Sequence, residues 1–261
     1  MAKKMRQIKI TTIQMKIILF FVLILTRITG QAQSLTLAVA ANFRDPMTEI
    51  VRQFREENPD IPVRTVFGSS GSLYQQITQH APFDIFFAAN MSYPQKAFEE
   101  GLSYGASKIY AIGQLILWSK DLDVNQSLDI LATDQLNKLA VANPALAPYG
   151  ESAVACLKHY NLYDQIKDKL VIADNISQTA QFAATGNTDA GLLAMSQLHS
   201  KSIQGKGTFY VIPPESYPPI QQGYVIIRRE ENESIARKFI SFMQTEQVKQ
   251  IILDYGYRID E

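Results

Sequence analysis

The stretch Phe83-Asp84-Ile85-Phe86-Phe87-Ala88-Ala89 limits the fold of this chain more than any other. It is apolar almost throughout and lacks the alternation of a half-buried strand. Such a run suits a strand covered on both faces, in a parallel sheet flanked by helices. The segments before it keep the same rhythm. Residues 35–41 form a first apolar strand. Asp45-Pro46 then opens a helix, with Asp as cap and Pro at the first position, and Met47, Ile50, Val51 and Phe54 give it a buried stripe. Residues 63–67 form a second strand, which runs into the turn Gly68-Ser69-Ser70-Gly71. A helix begins at Ser72, with Leu73, Tyr74 and Ile77 at helical spacing. A short helix over 92–101 completes a βαβαβα order, the pattern of an open α/β sheet.

Open α/β sheets bind ligands beyond the carboxyl ends of their strands. Asn42 and Ser69-Ser70 fall at those ends, in consecutive βα turns. The first N–H groups of a helix have no partner inside it and carry the positive end of the helix dipole. With serine hydroxyls beside them they make a site for an anion. A serine at such a turn is equally an ordinary helix cap.

A second α/β series follows. A long apolar run at 109–118 leads to a strand at 138–142 and a loop at 143–150. Helices at 151–160 and 163–169, a strand at 170–173, a turn at 174–176, a helix at 177–185 and a strand at 190–194 complete it. Extended segments at 209–212 and 221–228 precede two C-terminal helices, with Thr245 as cap of the second. Two lobes explain two series better than one very wide sheet. The expected division is a first lobe over 33–112, a second over 113–220, and a return crossover with C-terminal helices over 221–261 packing on the first lobe. The runs at 109–118 and 221–228 are then the two crossover hinge strands.

The first 32 residues carry Lys3, Lys4, Arg6, Lys9, Lys16 and Arg27 and no acid. Residues 17–25 are an apolar core too short to span a membrane, and Gly30 and Ala32 suit a cut before Gln33. This is the layout of a signal peptide for residues 1–32, with an uncleaved anchor as the alternative because Arg27 follows the core so closely. Removing six basic residues from 25 leaves 19 against 25 acidic ones, a net charge of −6 for the mature chain. That balance argues against nucleic-acid binding. Cys156 is the sole cysteine, set in a helical pattern as a buried, inert residue, and the histidines His80, His159 and His199 form no metal-ligand pair.

Neither nucleotide-binding glycine motif occurs. Gly68-Ser69-Ser70-Gly71-Ser72 resembles the hydrolase elbow G-x-S-x-G but places Ser72 where the second glycine belongs. A secreted serine hydrolase using Ser70, with His159 or His199 as base, is therefore the alternative reading.

Several segments together resemble one family. They are Ala38-Val39-Ala40-Ala41-Asn42-Phe43, Phe67-Gly68-Ser69-Ser70-Gly71-Ser72-Leu73-Tyr74-Gln75-Gln76-Ile77, Ala81-Pro82-Phe83-Asp84-Ile85-Phe86-Phe87-Ala88-Ala89, residues 110–119, Ala142-Asn143-Pro144-Ala145-Leu146-Ala147-Pro148-Tyr149-Gly150 and Ala184-Thr185-Gly186-Asn187. In this order and spacing they resemble the periplasmic molybdate-binding proteins of ABC transporters, type II periplasmic binding proteins. The resemblance implies two α/β lobes, each a mixed, mostly parallel sheet flanked by helices, joined by two crossover strands and closing on an oxyanion. It implies that Asn42 and Ser70 in the first lobe and Tyr149 and Ile176 in the second contact the anion, the second-lobe pair mainly through backbone N–H. Ala41 stands where some relatives have a hydroxyl residue, and Ser69 adjoins Ser70; both are further candidates. Ala194-Met195 lies where another branch places a tyrosine.

The resemblance further implies a monomeric, periplasmic binding protein without cofactor or enzymatic activity. It would take molybdenum only as the oxyanion, accept tungstate as well, and deliver its ligand to an inner-membrane permease with its ATPase. A binding protein for another small anion, such as sulfate, is the third reading. Molybdate is a tetrahedral dianion at neutral pH, so a site of donors alone suits it, whereas phosphate keeps a proton and would want an acceptor.

Overall fold

The computed structural model describes residues 34–259. The basic, apolar N-terminal segment and the cut after Ala32 lie outside the described residues. The first half runs β1 (Leu35–Ala40), α1 (Arg44–Glu57), β2 (Val63–Gly68), α2 (Ser70–Thr78), β3 (Ile85–Ala88), α3 (Ser92–Glu99) and β4 (Lys108–Gly113). The second runs β5 (Leu115–Ser119), β6 (Leu139–Ala142), α4 (Pro148–His159), α5 (Tyr163–Ile166), β7 (Leu170–Ala173), α6 (Ile176–Ala184), β8 (Ala190–Ala194) and β9 (Thr208–Val211). β10 (Ile220–Ile226), α7 (Glu233–Met243) and α8 (Glu246–Asp254) close the chain.

The strands form two five-stranded sheets, ordered β2-β1-β3-β10-β4 and β7-β6-β8-β5-β9. The two repeat one plan. β1 pairs parallel with β2 and β3, as β6 does with β7 and β8. In each sheet the fourth strand runs antiparallel to both its neighbours: β10 in the first, β5 in the second. β5 arrives directly from the first lobe and β10 from the second, so each sheet is completed by a strand entering from the other lobe.

Burial follows the period of a strand. Leu35, Leu37 and Val39 of β1, with Ile85 and Phe87 of β3, pack on Met47, Ile50 and Phe54 of α1 and on Phe239 of α7. Ala38, Phe86 and Ala88 face the other way, onto Leu73, Ile77 and Ala97. Helices on both faces explain why β3 is apolar at every position.

Sequence and structure differ mainly at boundaries. The 109–118 run is not one strand: it leaves the first sheet at Gly113 and enters the second at Leu115. The return crossing precedes 221–228, because β10 pairs within the first sheet over its whole length. Four helices start early. α1 begins at Arg44 with Phe43 at the cap position, which puts Asp45 inside the first turn rather than on the cap. α2, α4 and α6 begin at Ser70, Pro148 and Ile176, residues expected in turns. Serine, proline and glycine are tolerated in a first turn because its N–H groups are unpaired anyway. Thr245 holds the cap position of α8, but its hydroxyl donates to the Phe242 carbonyl at 2.8 Å.

Asp84 stands just before β3 rather than within it. Its buried carboxylate accepts from Thr36 N–H at 2.6 Å, from Arg229 at 3.0 Å and from Asn232 Nδ2 at 2.9 Å. It ties β1 to the segment after β10. Arg229 keeps some access to water, so most of what Asp84→Ala loses is the pairing of buried donors. Urea unfolding is expected to show about 3 kcal/mol of destabilisation.

Candidate functional site

The carboxyl ends of β1 and β2 face the starts of α4 and α6 across a small, narrow cavity. The first lobe contributes Ala41, Asn42, Ser69 and Ser70 to its lining, and the second contributes Tyr149 and Ile176. The six positions singled out from the sequence thus share one cavity. Its remaining lining residues carry no charged side chain either.

Three helix starts meet there, and each leaves its first available N–H without a partner among the described residues. In α2, Ser69 is the cap: its Oγ accepts from Ser72 N–H and donates to Ser72 Oγ at 2.7 Å, and its carbonyl takes Leu73 N–H. Gly71 N–H goes to the Leu146 carbonyl. Ser70 N–H is what remains. In α4, Pro148 occupies the first position and has no N–H, so the first donor is Tyr149 N–H. In α6, Asn175 Oδ1 caps Ser177 N–H and Gln178 N–H, both at 3.1 Å, and leaves Ile176 N–H. Each of these donors sits at the positive end of a helix dipole.

The side chains divide sharply. Ser70 Oγ accepts from Ala89 N–H at 2.9 Å, which turns its own O–H free to donate into the cavity. Ser69 has its hydroxyl proton committed to Ser72. Ala41 offers no side-chain donor, and its carbonyl accepts from Ser177 Oγ at 3.0 Å. Asn42 offers no free side-chain donor either. Its Nδ2 donates to Gln222 Oε1 at 2.7 Å and to Tyr257 Oη at 2.9 Å, so both amide hydrogens point into the protein. Asn42 can serve a guest only through its backbone.

Behind the cavity lies a buried polar network that sequence reasoning missed. Gln222 is wholly buried. Its Oε1 also accepts from Tyr110 Oη at 2.9 Å, and its Nε2 donates to Tyr149 Oη at 3.4 Å. Tyr257 Oη and Ser196 Oγ both donate to the Asn42 carbonyl, at 2.9 Å and 2.8 Å. Burial pushes the Tyr149 and Tyr110 phenols well above their usual range, and Tyr257 upward too, so all three stay neutral near pH 7. The available signal was a glutamine pair, Gln221-Gln222, inside an apolar strand. Nothing in the sequence says which of the two turns inward.

A nucleophile at Ser70 finds no base. His159 packs on Tyr160 at the end of α4 and His199 on Tyr255, with ring centroids 4.9 Å and 4.8 Å apart, and neither lines the cavity. The partner of Ser70 Oγ is a backbone amide rather than an imidazole. Cys156 is buried, and its thiol is pushed up to about 11 by that burial, as suits an inert core residue.

Comparison with known proteins adds four findings. The profile of the family described as bacterial extracellular solute-binding protein matches residues 35–258. Molybdate-binding protein ModA of Rhodobacter capsulatus is 40% identical over 222 residues, spanning 84% of this chain and 86% of the relative. ModA of Azotobacter vinelandii is 36% identical over 230 residues, spanning 87% and 91%. The solved structure of the Azotobacter vinelandii periplasmic molybdate-binding protein superposes with a TM-score of 0.82 at 31% identity, covering 87% of this chain and all of that one.

The network behind the cavity generates a test of its own. Gln222→Leu keeps the volume but takes the Oε1 acceptor from Asn42 Nδ2 and Tyr110 Oη, leaving the amide with Tyr257 Oη and the phenol with the Ala88 carbonyl at 3.4 Å. Thermal or urea unfolding is expected to show about 1–3 kcal/mol of destabilisation, the cost of one buried amide hydrogen left unpaired and one weakened bond.

Proposed function

The chain belongs to the bacterial extracellular solute-binding proteins, and on that premise we propose that it captures molybdate between its two lobes for an ABC transporter. The reading rests on one observation above the others. Three unpaired helix-start N–H groups and the Ser70 hydroxyl converge on a cavity lined by no charged side chain. The two ModA relatives and the solved structure described above carry molybdate binding in their names.

The chemistry follows from charge and protonation. Stripping water from a dianion costs tens of kcal/mol in an apolar medium. Hydrogen bonds to a charged group return about 1.5–3 kcal/mol each, and helix dipoles add to them when the donors are held in place. Donors on opposite lobes surround the ion only when the lobes come together. Neutral donors also spare the site the long-range pull that a lysine or arginine would exert on every anion. No carboxylate lines the cavity to accept the proton that phosphate retains. Cavity size is left to separate molybdate from the smaller sulfate, and tungstate, nearly equal in size to molybdate, binds as well.

In this reading Ser70 donates through side chain and backbone, Tyr149 and Ile176 through backbone N–H, and Asn42 through its backbone alone. Ala41 and Ser69 shape the wall. Molybdenum enters only as the oxyanion, as cargo rather than cofactor. The protein works as a monomer in the periplasm, after removal of residues 1–32, and hands its ligand to a membrane permease driven by an ATPase. A serine hydrolase is not proposed, because Ser70 lacks a base.

Calorimetry of the mature chain with molybdate, tungstate, sulfate and phosphate tests the proposal. Molybdate and tungstate are expected to bind alike and well ahead of sulfate and phosphate. Sulfate binding as tightly as molybdate would move the assignment to a general sulfate-type receptor. No titratable side chain donates to the cavity and the buried phenols stay neutral, so affinity is expected to hold from about pH 6 to about pH 9. Ser70→Ala removes one hydrogen bond to a charged group and is expected to weaken molybdate binding by about 1–3 kcal/mol. An unchanged affinity would reduce Ser70 to part of the helix start.

A further inference from the structure

Gly71 has no local reason to be glycine. It is the second residue of α2, with ordinary helical backbone, and no turn depends on it. The reason lies across the cleft. Its N–H donates to the Leu146 carbonyl at 2.9 Å, a backbone hydrogen bond made directly between the lobes. A Cβ at this position would stand 3.0 Å from Leu146 O, 3.1 Å from Leu146 Cα and 2.6 Å from Tyr93 Oη. The phenol is the end of a flexible side chain and can yield. The Leu146 backbone cannot yield easily. Its own N–H is bound to the Asn143 carbonyl at 3.1 Å, and the Asn143 side chain accepts from Ala145 N–H at 3.0 Å, so the turn that presents it is braced.

The position of this bond gives it a consequence for the ligand. On the first lobe it is the residue next to Ser70, and on the second it is three residues before Tyr149. Ser70 N–H and Tyr149 N–H are the donors that face each other across the cavity. The Gly71–Leu146 bond therefore fixes the separation of opposed donors without touching the guest. A second strut stands on the other flank, where Ser177 Oγ of α6 donates to the Ala41 carbonyl at 3.0 Å.

We propose that Gly71 is a positioning residue for anion retention: its bare Cα lets the lobes seat against each other through Gly71 N–H and Leu146 O, and this contact sets how slowly the bound oxyanion escapes. The inference rests on the reading of the cavity as an oxyanion site. The contact forms only when the lobes meet, so its loss acts on dissociation more than on encounter.

The experiment compares the parent chain with Gly71→Ala by stopped-flow fluorescence, mixing with molybdate for association and chasing the complex with excess tungstate for dissociation. Dissociation is expected to accelerate about tenfold, the effect of losing roughly one interior hydrogen bond, with association changed by less than about threefold. The ligand-free melting temperature is expected to hold or rise, because alanine is the better helix residue. Tyr93→Phe is then added to the variant. Tyr93 Oη itself donates across the cleft to the Ala145 carbonyl at 3.4 Å, so the double variant is read against Tyr93→Phe alone, and dissociation is expected to stay faster in the double variant because the Leu146 backbone remains in the way. Unchanged dissociation in Gly71→Ala, or a double variant no faster than Tyr93→Phe alone, would overturn the latch while leaving the oxyanion site intact. A parent chain that does not bind molybdate would overturn the site itself. Should Gly71→Ala lose ligand-free stability, Ser177→Ala takes its place. There, dissociation several-fold faster at an unchanged melting temperature supports direct lobe-to-lobe bonds as the retaining element, and an unchanged rate counts against it.

Discussion

A doubly charged ion buried away from water needs donors that are already in place, and the first turn of a helix is where a folded chain has them to spare. Under the proposed function, the architecture of this protein serves that constraint. α2, α4 and α6 all begin at one cavity, and each has its other early N–H groups accounted for: by the Ser69 hydroxyl, by the missing N–H of Pro148 and by the Asn175 side chain. What remains is one open donor per helix. The selectivity of such a site comes from neutrality as much as from attraction, since it has no charged side chain to draw anions in general.

Bringing three helix starts to one point requires two sheets whose carboxyl ends face each other. The repeated strand order achieves this, with the parallel trio of each sheet delivering its helices to the cleft. Exchange of the fourth strand between lobes then joins the two bodies by short crossings next to the site. The inner ends of the crossing segments lie beside a buried network in which Gln222, from the return strand, holds Asn42 of one lobe and Tyr149 of the other. The Asn42 side-chain amide belongs to this network, which leaves only the backbone of Asn42 for a guest. Its amide braces the floor on which the open N–H groups stand, so its substitution would affect the site through its supports.

Much of this was legible in the chain itself. The unbroken apolar character of residues 85–88 reported a strand covered on both faces, and the alternation of strand and helix patterns reported two α/β series. The turns carrying Asn42, Ser70, Tyr149 and Ile176 were located, and they meet. Local pattern was weaker at boundaries. Gly, Ser, Pro and Asn mark a turn equally well whether they lie just outside a helix or in its first residues, so α2, α4 and α6 each start earlier than their turn residues indicated.

The sequence by itself determined the class of fold, the order of the elements and the donor-rich turns at strand ends, because those depend on hydrophobic period and on residues a few positions apart. Pro148 and Asn175 act locally at the starts of α4 and α6. Only the tertiary structure decided the rest, because at Asn42, Ser70 and Gly71 the outcome depends on partners far away in the chain. Gln222 and Tyr257 turn the Asn42 amide away from the cavity, Ala89 N–H binds Ser70 Oγ and frees its proton, and Leu146 takes the N–H of Gly71. A hydrogen bond satisfies a donor regardless of sequence separation, and so the part these three residues play was fixed by folding and not by any local motif.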